Sequence, residues 1–299
     1  MNVTSRRPLL GGRIFGRTGA YELILGTIDY AVDPASPHNS IIVDLDVAPR
    51  NAAGRVEFSG DVMILRPVDA SHGNGITLID VVNRGGRTVL GTFNLATGGG
   101  DLSSPAEVGD GLLLERGYTI VFLGWEFDVA TGLKLRVPTA PGIKGIAHGL
   151  YVAADTGRPI VFSDLNGYTP VDAGASSTTL TVRKGANGMA TAVPRESWQL
   201  AGNTVTLAAP AQPGRWYELS YAAVNPPIAG LGFAAVRDVA AWTKSSKNAL
   251  ARSTSVLAYG NSQCGRFLRD FLYEGFNTDE TNHQALDAVF ANVAGASRI

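Results

Sequence analysis

One serine in this sequence lies in a setting that suits nucleophilic chemistry. Ser262 is at the centre of Gly260-Asn261-Ser262-Gln263-Cys264, with small residues two positions before and two after it. The apolar segment Ser255–Tyr259 precedes it, and the amphipathic segment Gln263–Tyr273 follows it. A sharp turn from strand to helix needs such small residues, and it exposes the central side chain at the positive end of the helix dipole. The pattern predicts that Ser262 attacks a carbonyl carbon in acyl transfer.

Two alternative interpretations of this segment exist. In the first, Ser262 is an ordinary N-cap residue of the helix that follows it. In the second, Cys264 is the nucleophile, but Arg266 would then occupy a position that requires a small side chain. We therefore interpret Cys264 as a packing residue. Two other Gly-x-Ser triplets, at 174–176 and 295–297, lack the preceding strand and the following helix.

Acyl transfer also requires hydrogen-bond donors for the oxyanion that forms at the carbonyl. The backbone N–H of Gln263, at the start of the predicted helix, is the first candidate. The second is expected in the loop after the third strand, where Gly75–Val82 leads into Asn83-Arg84-Gly85-Gly86. We expect the N–H of Arg84 or Gly85 to be this donor, because glycines allow the backbone to approach a ligand closely. The alternative is a glycine turn that only joins a strand to a helix.

The segments around these residues alternate between strands and helices. The strands are predicted at Ser40–Ala48, Val56–Arg66, Gly75–Val82, Tyr118–Gly124, Ser255–Tyr259 and Ala288–Val293. The helices are predicted from Ser103 or Ser104 towards Arg116, and at Leu231–Lys247 and Gln263–Tyr273. Strands that alternate with helices are typical of an α/β fold with a mainly parallel sheet.

A turn-rich stretch interrupts this pattern from about Thr131 to Pro213. Polar and apolar residues alternate at Thr178–Arg183 and Thr204–Leu207, which predicts an inserted antiparallel β module. The parallel pattern is expected to resume at Trp216–Ala222. We therefore predict a core domain at 1–130 and 214–299, and a β-rich module at 131–213.

Short segments along most of the chain carry a family resemblance. They are Asp33-Pro34, Val43–Asn51, Ile64–Pro67, Val82–Gly85, Gly117-Tyr118, Gly124-Trp125, Gly230–Asp238, Gly260–Arg269 and Glu274–Asn277. In this order, from about residue 10 to 299, they resemble a bacterial family of α/β-hydrolase domain proteins. The family usually has a serine where this chain has Cys264, and both side chains are small. The resemblance implies an α/β-hydrolase fold with a nucleophile elbow at Ser262 and an activity as a serine ester hydrolase.

A serine nucleophile needs a histidine base that is oriented by a carboxylate. In the fold implied by the resemblance, the acid and the histidine follow the serine in the chain. Here only His283 follows Ser262, and it falls in a connection expected at the opposite end of the sheet. We therefore expect the chain to be truncated at the C-terminus, with the last strands, the acid and the histidine outside it. Of the earlier histidines, His72 and His148 flank glycine-rich loops and are better substitutes than His38.

Composition and motif spacing exclude several classes of protein. The chain has 25 Lys and Arg against 26 Asp and Glu, so its net charge of −1 favours neither nucleic acid nor an anionic membrane. The single cysteine excludes a disulfide framework, and four widely spaced histidines predict no metal site. No apolar run is long enough for a membrane-spanning helix. We expect a small-molecule ester as the partner and no cofactor.

Several other residues have a structural and a functional interpretation. The segment Gly230–Ala235 matches a dinucleotide fingerprint, but no strand leads directly into it, so we interpret its glycines as sites of helix packing. Asp128 either lines the cleft or caps a turn, and Arg237-Asp238 is expected to be a structural pair. The aromatic residues Trp198, Trp216 and Tyr217 either face a substrate or form the core of the β module.

These observations lead to a predicted function and one alternative. The predicted function is hydrolysis of a carboxylic ester through an acyl-enzyme on Ser262. The alternative is a binding module that keeps the fold but lacks the acid and the histidine. Two compartments remain open: the cytoplasm, or export if a signal peptide has been removed.

Overall fold

The computed structural model describes residues 1–97, 99–156, 159–245, 248 and 253–297. The helices are α1 (Val89–Phe93), α2 (Pro105–Val108), α3 (Leu112–Glu115), α4 (Leu231–Lys244) and α5 (Gln263–Tyr273). The strands are β1 (Asn2–Pro8), β2 (Ile14–Phe15), β3 (Gly19–Val32), β4 (Val56–Pro67), β5 (Ile76–Val81), β6 (Thr119–Leu123), β7 (Leu135–Arg136), β8 (Lys144–Val152), β9 (Ile160–Val161), β10 (Thr169–Pro170), β11 (Thr179–Lys184), β12 (Thr191–Ala192), β13 (Trp198–Ala201), β14 (Thr204–Leu207), β15 (Arg215–Val224), β16 (Ser255–Asn261) and β17 (Ala288–Asn292).

The chain divides into two compact units, of which the first comprises residues 1–46, 50–137 and 229–299. Its sheet has the strand order β1-β3-β4-β6-β5-β16-β17, with β2 paired to β3 and β7 paired to β4. The strands β6, β5, β16 and β17 run parallel to one another, whereas β1, β3, β4 and β6 form antiparallel pairs. This mixed sheet with intervening helices is an α/β fold.

Two adjacent strands in the middle of the sheet, β5 and β6, are buried. In β5 every residue after the first is buried, and in β6 every residue after the first is buried as well. Such short and almost wholly apolar sequences are typical of strands covered on both faces. The strands predicted at Gly75–Val82 and Tyr118–Gly124 are therefore confirmed.

The ends of the parallel strands lie at one edge of the sheet. Val81 at the end of β5 is aligned with Leu123 at the end of β6, and Asn261 at the end of β16 is aligned with Asn292 at the end of β17. The segments that follow these strands therefore leave the sheet on the same side. In open α/β sheets this edge is where ligands bind.

The strand predicted at Ser40–Ala48 is wrong, because this segment forms turns and a short 3-10 helix. Ile42, Leu45 and Ala48 are buried, whereas Ile41 and Val43 are exposed. Burial at every third residue fits a turning backbone, whereas a strand buries alternate residues. The many β-branched residues in this segment favour a strand, but they do not specify one without a pairing partner.

The single helix predicted from Ser103 or Ser104 towards Arg116 is two short helices, α2 and α3. Pro105 is the first residue of α2, as predicted, and Gly117 has a φ of 78° just after α3. Between the helices, Gly109 and Gly111 have φ values of 75° and 89°, which interrupt a right-handed helix. A side chain on Gly109 would also collide with the backbone oxygen of Asn94.

The second unit comprises residues 47–49 and 138–228 and is built from antiparallel strands. One sheet contains β8, β10, β11, β12 and β15, and a smaller sheet contains β9, β13 and β14. Trp198 and Tyr217 lie in its hydrophobic core, whereas Trp216 is half-buried and contacts the Arg183 guanidinium. Within this unit, two of the three aromatic residues therefore have the structural role.

The strand β15 belongs to this second unit. The expectation that Trp216–Ala222 resumes the parallel pattern is wrong, because β15 pairs antiparallel with β8, β10 and β11. Alternate burial along β15 is compatible with either direction of pairing, so the sequence did not distinguish them. The units divide after Val137 and after Ile228, whereas the sequence placed these divisions after residues 130 and 213. That the second unit is an insertion into the core stays a prediction.

The two helices beside the candidate site agree closely with the sequence. The bounds of α5 are those predicted, and α4 begins at Leu231 as predicted and ends at Lys244. The predicted end of α4, Lys247, lies outside the described residues. In the described part of the chain, every helix is too short or too polar to cross a membrane.

Candidate active site

Ser262 occupies the turn between β16 and α5. Its backbone has a φ of 57° and a ψ of −113°, a combination that is rare for a residue with a side chain. The side chain is exposed, and its hydroxyl forms no hydrogen bond that caps the helix. The interpretation of Ser262 as an ordinary N-cap is therefore not supported. A strained serine exposed between a strand and a helix is the geometry of a nucleophile elbow.

Two glycines make this turn sterically possible. A Cβ atom on Gly260 would lie 2.3 Å from the backbone oxygen of Cys264. A Cβ atom on Gly265 would lie 2.5 Å from the backbone oxygen of Asn292 at the end of β17. Both distances are far shorter than a carbon–oxygen contact, so neither position accepts a side chain without movement of the backbone. The small residue predicted at position 260 therefore has a direct steric reason, and the structure shows the same requirement at Gly265.

Hydrogen bonds hold the backbone of the turn on both sides. The N–H of Ser262 donates to the Asn292 oxygen at 3.0 Å, and the Ser262 oxygen accepts the first helical bond from Arg266 at 3.0 Å. The side-chain amide of Asn292 donates to Asn261 at 2.9 Å. Gln263 is the first residue of α5, where backbone N–H groups have no acceptor within the helix. Its N–H is thus available beside Ser262.

Cys264 packs against the neighbouring strand end. Its thiol is buried and donates to the backbone oxygen of Val82 at 3.3 Å. Burial raises the pKa of this thiol well above its ordinary value. A thiolate is the reactive form of cysteine, so this environment suppresses nucleophilic reactivity. The packing role predicted for Cys264 agrees with its position.

The loop after β5 contacts the serine turn directly. The side-chain amide of Asn83 donates to the backbone oxygen of Asn261 at 3.1 Å. A pair of backbone hydrogen bonds of 2.9 Å joins Asn83 and Gly86, which closes the loop tightly. Arg84 has a φ of 48° and Gly85 a φ of 80°, so the loop turns through the left-handed region twice. The tertiary structure thus brings Arg84 and Gly85 to the same edge as Ser262 and Gln263.

Residues 131–133 of the same chain pack directly against Gly85, where a side chain would not fit. A Cβ atom on Gly85 would lie 2.4 Å from the backbone oxygen of Thr131, and one on Gly132 would lie 2.3 Å from the oxygen of Gly85. The Gly85 oxygen also accepts a hydrogen bond of 3.0 Å from Leu133. The absence of a side chain at Gly85 thus makes room for residues 131–133, and the approach of a ligand to its N–H stays a prediction.

Glu126 is a member of the site that the sequence did not identify. It follows β6 at the same sheet edge, and its side chain is 4% exposed. Its Oε1 atom accepts hydrogen bonds of 2.9 Å from the Gln263 side chain and from the Arg84 guanidinium. Burial raises the pKa of Glu126, and the nearby Arg84 opposes this rise. The signal in the sequence is an acidic residue just after a buried strand, a position that the sequence analysis assigns to Asp128.

Asp128 contacts the same guanidinium. Both of its carboxylate oxygens lie 2.9 Å from Nη1 of Arg84, which therefore has two carboxylate neighbours. The backbone N–H of Arg84 also faces the Glu126 carboxylate. Asp128 thus anchors an arginine of the loop after β5, a role that neither of its two predicted interpretations contained.

Two of the four histidines, His38 and His283, make their contacts away from Ser262. His38 contacts Asn282 at 2.9 Å, and His283 contacts Thr281 at 2.8 Å. The segment after His283 approaches the start of β16, where Asp287 donates its N–H to Val256 at 2.8 Å. Ser262 follows the other end of this seven-residue strand, roughly 20 Å away. The position expected for His283 is confirmed.

The two remaining histidines also have other environments. His72 lies beside Asp69, and His148 is on β8 in the second unit. None of the four described histidines forms a hydrogen bond with Ser262. In the part of the chain that the structure describes, no group of three His, Cys, Asp or Glu residues has an arrangement suited to a metal ion.

Residues 157–299 match the family model of an alpha/beta hydrolase domain. The matched range contains α4, β16, the turn at Ser262, α5 and β17, together with most of the second unit. The match therefore associates the serine turn with hydrolases in general. The same comparisons found no curated protein and no solved structure that matches the chain.

Other glycines and charged pairs have structural roles. A Cβ atom on Gly232 would lie 2.7 Å from the backbone oxygen of Trp125, which explains the glycines at the start of α4 by close packing. Arg237 donates to Asp238 at 2.7 Å, so the structural pair predicted here is confirmed.

Proposed function

We propose that this protein is a serine hydrolase that cleaves a carboxylic ester through an acyl-enzyme on Ser262. The observation that carries the proposal is the strained and exposed Ser262 between β16 and α5. The match to an alpha/beta hydrolase domain supports the general class of reaction. A strained backbone of this kind persists only where the surrounding structure enforces it, and such strain concentrates at active sites.

In the proposed reaction, the Ser262 hydroxyl oxygen attacks the carbonyl carbon of the ester. The bond between this carbon and the alcohol oxygen then breaks, and the acyl group remains on the serine until water releases it. A histidine takes the serine proton and delivers it to the leaving alcohol, and a carboxylate orients that histidine. No described residue is assigned to these two roles.

Two backbone N–H groups are proposed to bind the oxyanion. The first belongs to Gln263, whose N–H has no acceptor within α5. The second belongs to the loop after β5, where Arg84 and Gly85 are the candidates. The N–H of Arg84 faces the carboxylate of Glu126, so we favour Gly85 as the second donor. Removing one such donor typically lowers kcat by about 10²–10³-fold.

Labelling with a fluorophosphonate probe tests the proposal, because this probe reacts with activated serines. The full-length protein should be labelled, and the Ser262→Ala variant should not be. Ser176→Ala is the matched control, since Ser176 follows Gly174 in a Gly-x-Ser triplet that forms a turn in the second unit. Its labelling should equal that of the wild type.

Kinetics with nitrophenyl esters provide the second measurement. Ser262→Ala should lower kcat/KM by at least about 10³-fold, because the nucleophile is lost. A wild-type protein that is neither labelled nor active on any ester would sink the proposal. That result would support the alternative, a binding module that retains the fold without the reaction.

A further inference from the structure

The carboxylate of Glu126 is buried between the two segments that would form the oxyanion hole. These segments are the serine turn, residues 260–265, and the loop after β5, residues 83–86. The Glu126 side chain is 4% exposed, and its Oε2 atom accepts no hydrogen bond from the residues that the structure describes. Burying a carboxylate is costly unless its hydrogen bonds return that energy, so an acid in this position calls for a specific explanation.

The hydrogen bonds of the other carboxylate oxygen, Oε1, explain why Glu126 is buried here. Oε1 accepts from Nε2 of Gln263 and from Nη1 of Arg84, in both cases at 2.9 Å. Gln263 belongs to the serine turn and Arg84 to the loop after β5. One oxygen atom of Glu126 therefore joins the two segments, which are far apart in the sequence.

A second contact between these segments is weaker in character. Asn83 donates to Asn261 at 3.1 Å, a bond between neutral groups in which the side chain reaches the backbone. Hydrogen bonds to an ionised carboxylate are roughly twice as strong as bonds between neutral groups. The bonds to Glu126 are thus expected to dominate the alignment of the two segments.

We propose that Glu126 is a positioning residue that holds the two donors of the oxyanion hole at the correct separation. It acts through the Gln263 side chain and the Arg84 guanidinium and does not touch the reacting atoms. The inference rests on the proposed function, because it concerns the donors of that site. Oxyanion donors must lie about 2.7–3.1 Å from the developing charge, so a small displacement of either segment weakens the transition state.

Loss of this alignment should affect the chemical step more than substrate binding. The oxyanion exists in the transition state and not in the bound ester, so a misplaced donor lowers kcat and leaves KM nearly unchanged. For Glu126→Ala we expect kcat to fall about 10- to 100-fold, less than or similar to the loss of a donor itself. KM should stay within about twofold of the wild-type value.

The test compares Glu126→Ala and Glu126→Gln with a control, Glu218→Ala. Glu218 is paired with Arg183 at 2.7 Å in the second unit, and neither residue belongs to the site. Glu126→Gln keeps an oxygen acceptor at Oε1 but loses the charge that strengthens its hydrogen bonds, so kcat should fall by less than in Glu126→Ala. Kinetics with a nitrophenyl ester give kcat and KM, and thermal unfolding shows that each variant is folded.

Hydrogen exchange measured by mass spectrometry provides a readout that does not depend on activity. Glu126→Ala should raise amide exchange in both segments, residues 83–86 and 260–265, because their common anchor is lost. Glu218→Ala should change neither segment. If Glu126→Ala does not fold, the Gln variant carries the kinetic test: a lower kcat with KM unchanged supports the inference, and an unchanged kcat overturns it.

The outcomes are distinguishable from those of the proposed function. An active wild type with unchanged kcat in Glu126→Ala overturns the inference, as does increased exchange in only one segment. A loss of kcat in Glu126→Gln that equals or exceeds the loss in Glu126→Ala would also overturn it, because the acceptor atom at Oε1 would then have no effect. If the wild type is inactive although it folds, the proposed function fails, and exchange alone decides whether Glu126 couples the segments.

Discussion

At the scale of single residues, the serine turn requires glycine at two positions. Gly260 and Gly265 have no side chains, and a Cβ atom at either position would overlap a backbone oxygen. The turn places Ser262 at a φ of 57°, which the surrounding hydrogen bonds from Arg266 and to Asn292 maintain. The spacing of small residues thus predicted the turn correctly, because the steric constraint acts between close neighbours in the chain.

Gly260→Ala tests this steric constraint. The added Cβ atom would lie 2.3 Å from the Cys264 oxygen, so the turn must open or the strand must shift. We expect a loss of about 2–4 kcal/mol in the free energy of unfolding, measured by urea denaturation. Fluorophosphonate labelling of Ser262 should fall as well, because the serine leaves its position.

Gly145→Ala is the control for this substitution. Gly145 lies in β8, and a Cβ atom there would have no neighbour within 4 Å. This variant should change stability by less than about 1 kcal/mol, since glycine in a strand is itself unfavourable. Equal losses in the two variants would contradict the steric explanation.

At the scale of elements, local sequence patterns predicted the positions of several helices and strands but not always their lengths. The α5 helix has its predicted bounds, whereas one predicted helix is split into α2 and α3 by Gly109 and Gly111. A glycine in a helical pattern is compatible with a helix or with an interruption, and the packing of Asn94 against Gly109 decides between them. The sequence alone does not show that Asn94 packs against Gly109.

The start of α1 shows how a strand stabilises a helix. Asp80 in β5 is buried, and its carboxylate accepts from the N–H groups of Thr88 and Val89 at 2.7 and 2.9 Å. These N–H groups have no acceptor within the helix, so the strand supplies the cap. Burial raises the pKa of Asp80 from its ordinary value of 3.8 to about 6, although these hydrogen bonds oppose the rise.

Asp80→Asn should make stability less sensitive to pH. The pKa of Asp80 is higher in the folded protein than in the unfolded chain, so its protonated carboxyl stabilises the fold. This contribution to the free energy of unfolding is fully present below about pH 4 and is lost as pH rises through about 6. Asparagine does not titrate, so the variant has no such loss of stability as the pH rises. The free energy of unfolding of the variant, relative to wild type, should therefore increase by roughly 1–3 kcal/mol between pH 4 and 7.

Urea denaturation at several pH values measures this difference. Asp69→Asn is the control, because hydrogen bonds from Ser71 lower the pKa of this exposed carboxyl. A lowered pKa gives the opposite sign, so the relative stability of this variant should not increase with pH. A constant difference between Asp80→Asn and wild type across the range would disprove the role given to burial.

At the scale of the whole molecule, each of the two units has its own hydrophobic core. In the first unit, a buried charged residue also joins distant segments. Arg237 in α4 is fully buried and donates to Asn39 and Asp238, each at 2.7 Å, while Glu280 lies 3.8 Å away. Three parts of the chain that are remote in sequence therefore share one guanidinium.

Arg237→Ala should destabilise the first unit strongly. The substitution leaves the Asp238 and Glu280 carboxylates without this cation, and breaking a buried ion pair costs about 3–5 kcal/mol. Arg136→Ala removes an ion pair of 2.7 Å to Asp61 in which the arginine is 47% exposed, and this loss should be at most about 1 kcal/mol. Guanidinium denaturation compares the two, and equal losses would contradict the role given to burial.

The sequence by itself determined the features that depend on neighbours in the chain. These are the turn at Ser262, the bounds of α5 and the buried strands β5 and β6, because sterics and apolar periodicity act over a few residues. It did not determine which strands pair. It therefore assigned β15 to the parallel pattern and Ser40–Ala48 to a strand, since alternation and β-branched residues do not specify a partner.

Only the tertiary structure placed Glu126 beside Gln263 and Arg84, and Asn292 beside Ser262. These contacts join residues separated by 30 to 137 positions along the chain. They follow from the order and register of β6, β5, β16 and β17, which bring four strand ends to one edge. Register is set by pairing between distant strands, and this is why the sequence indicated the proposed nucleophile but not the acid that contacts its neighbours.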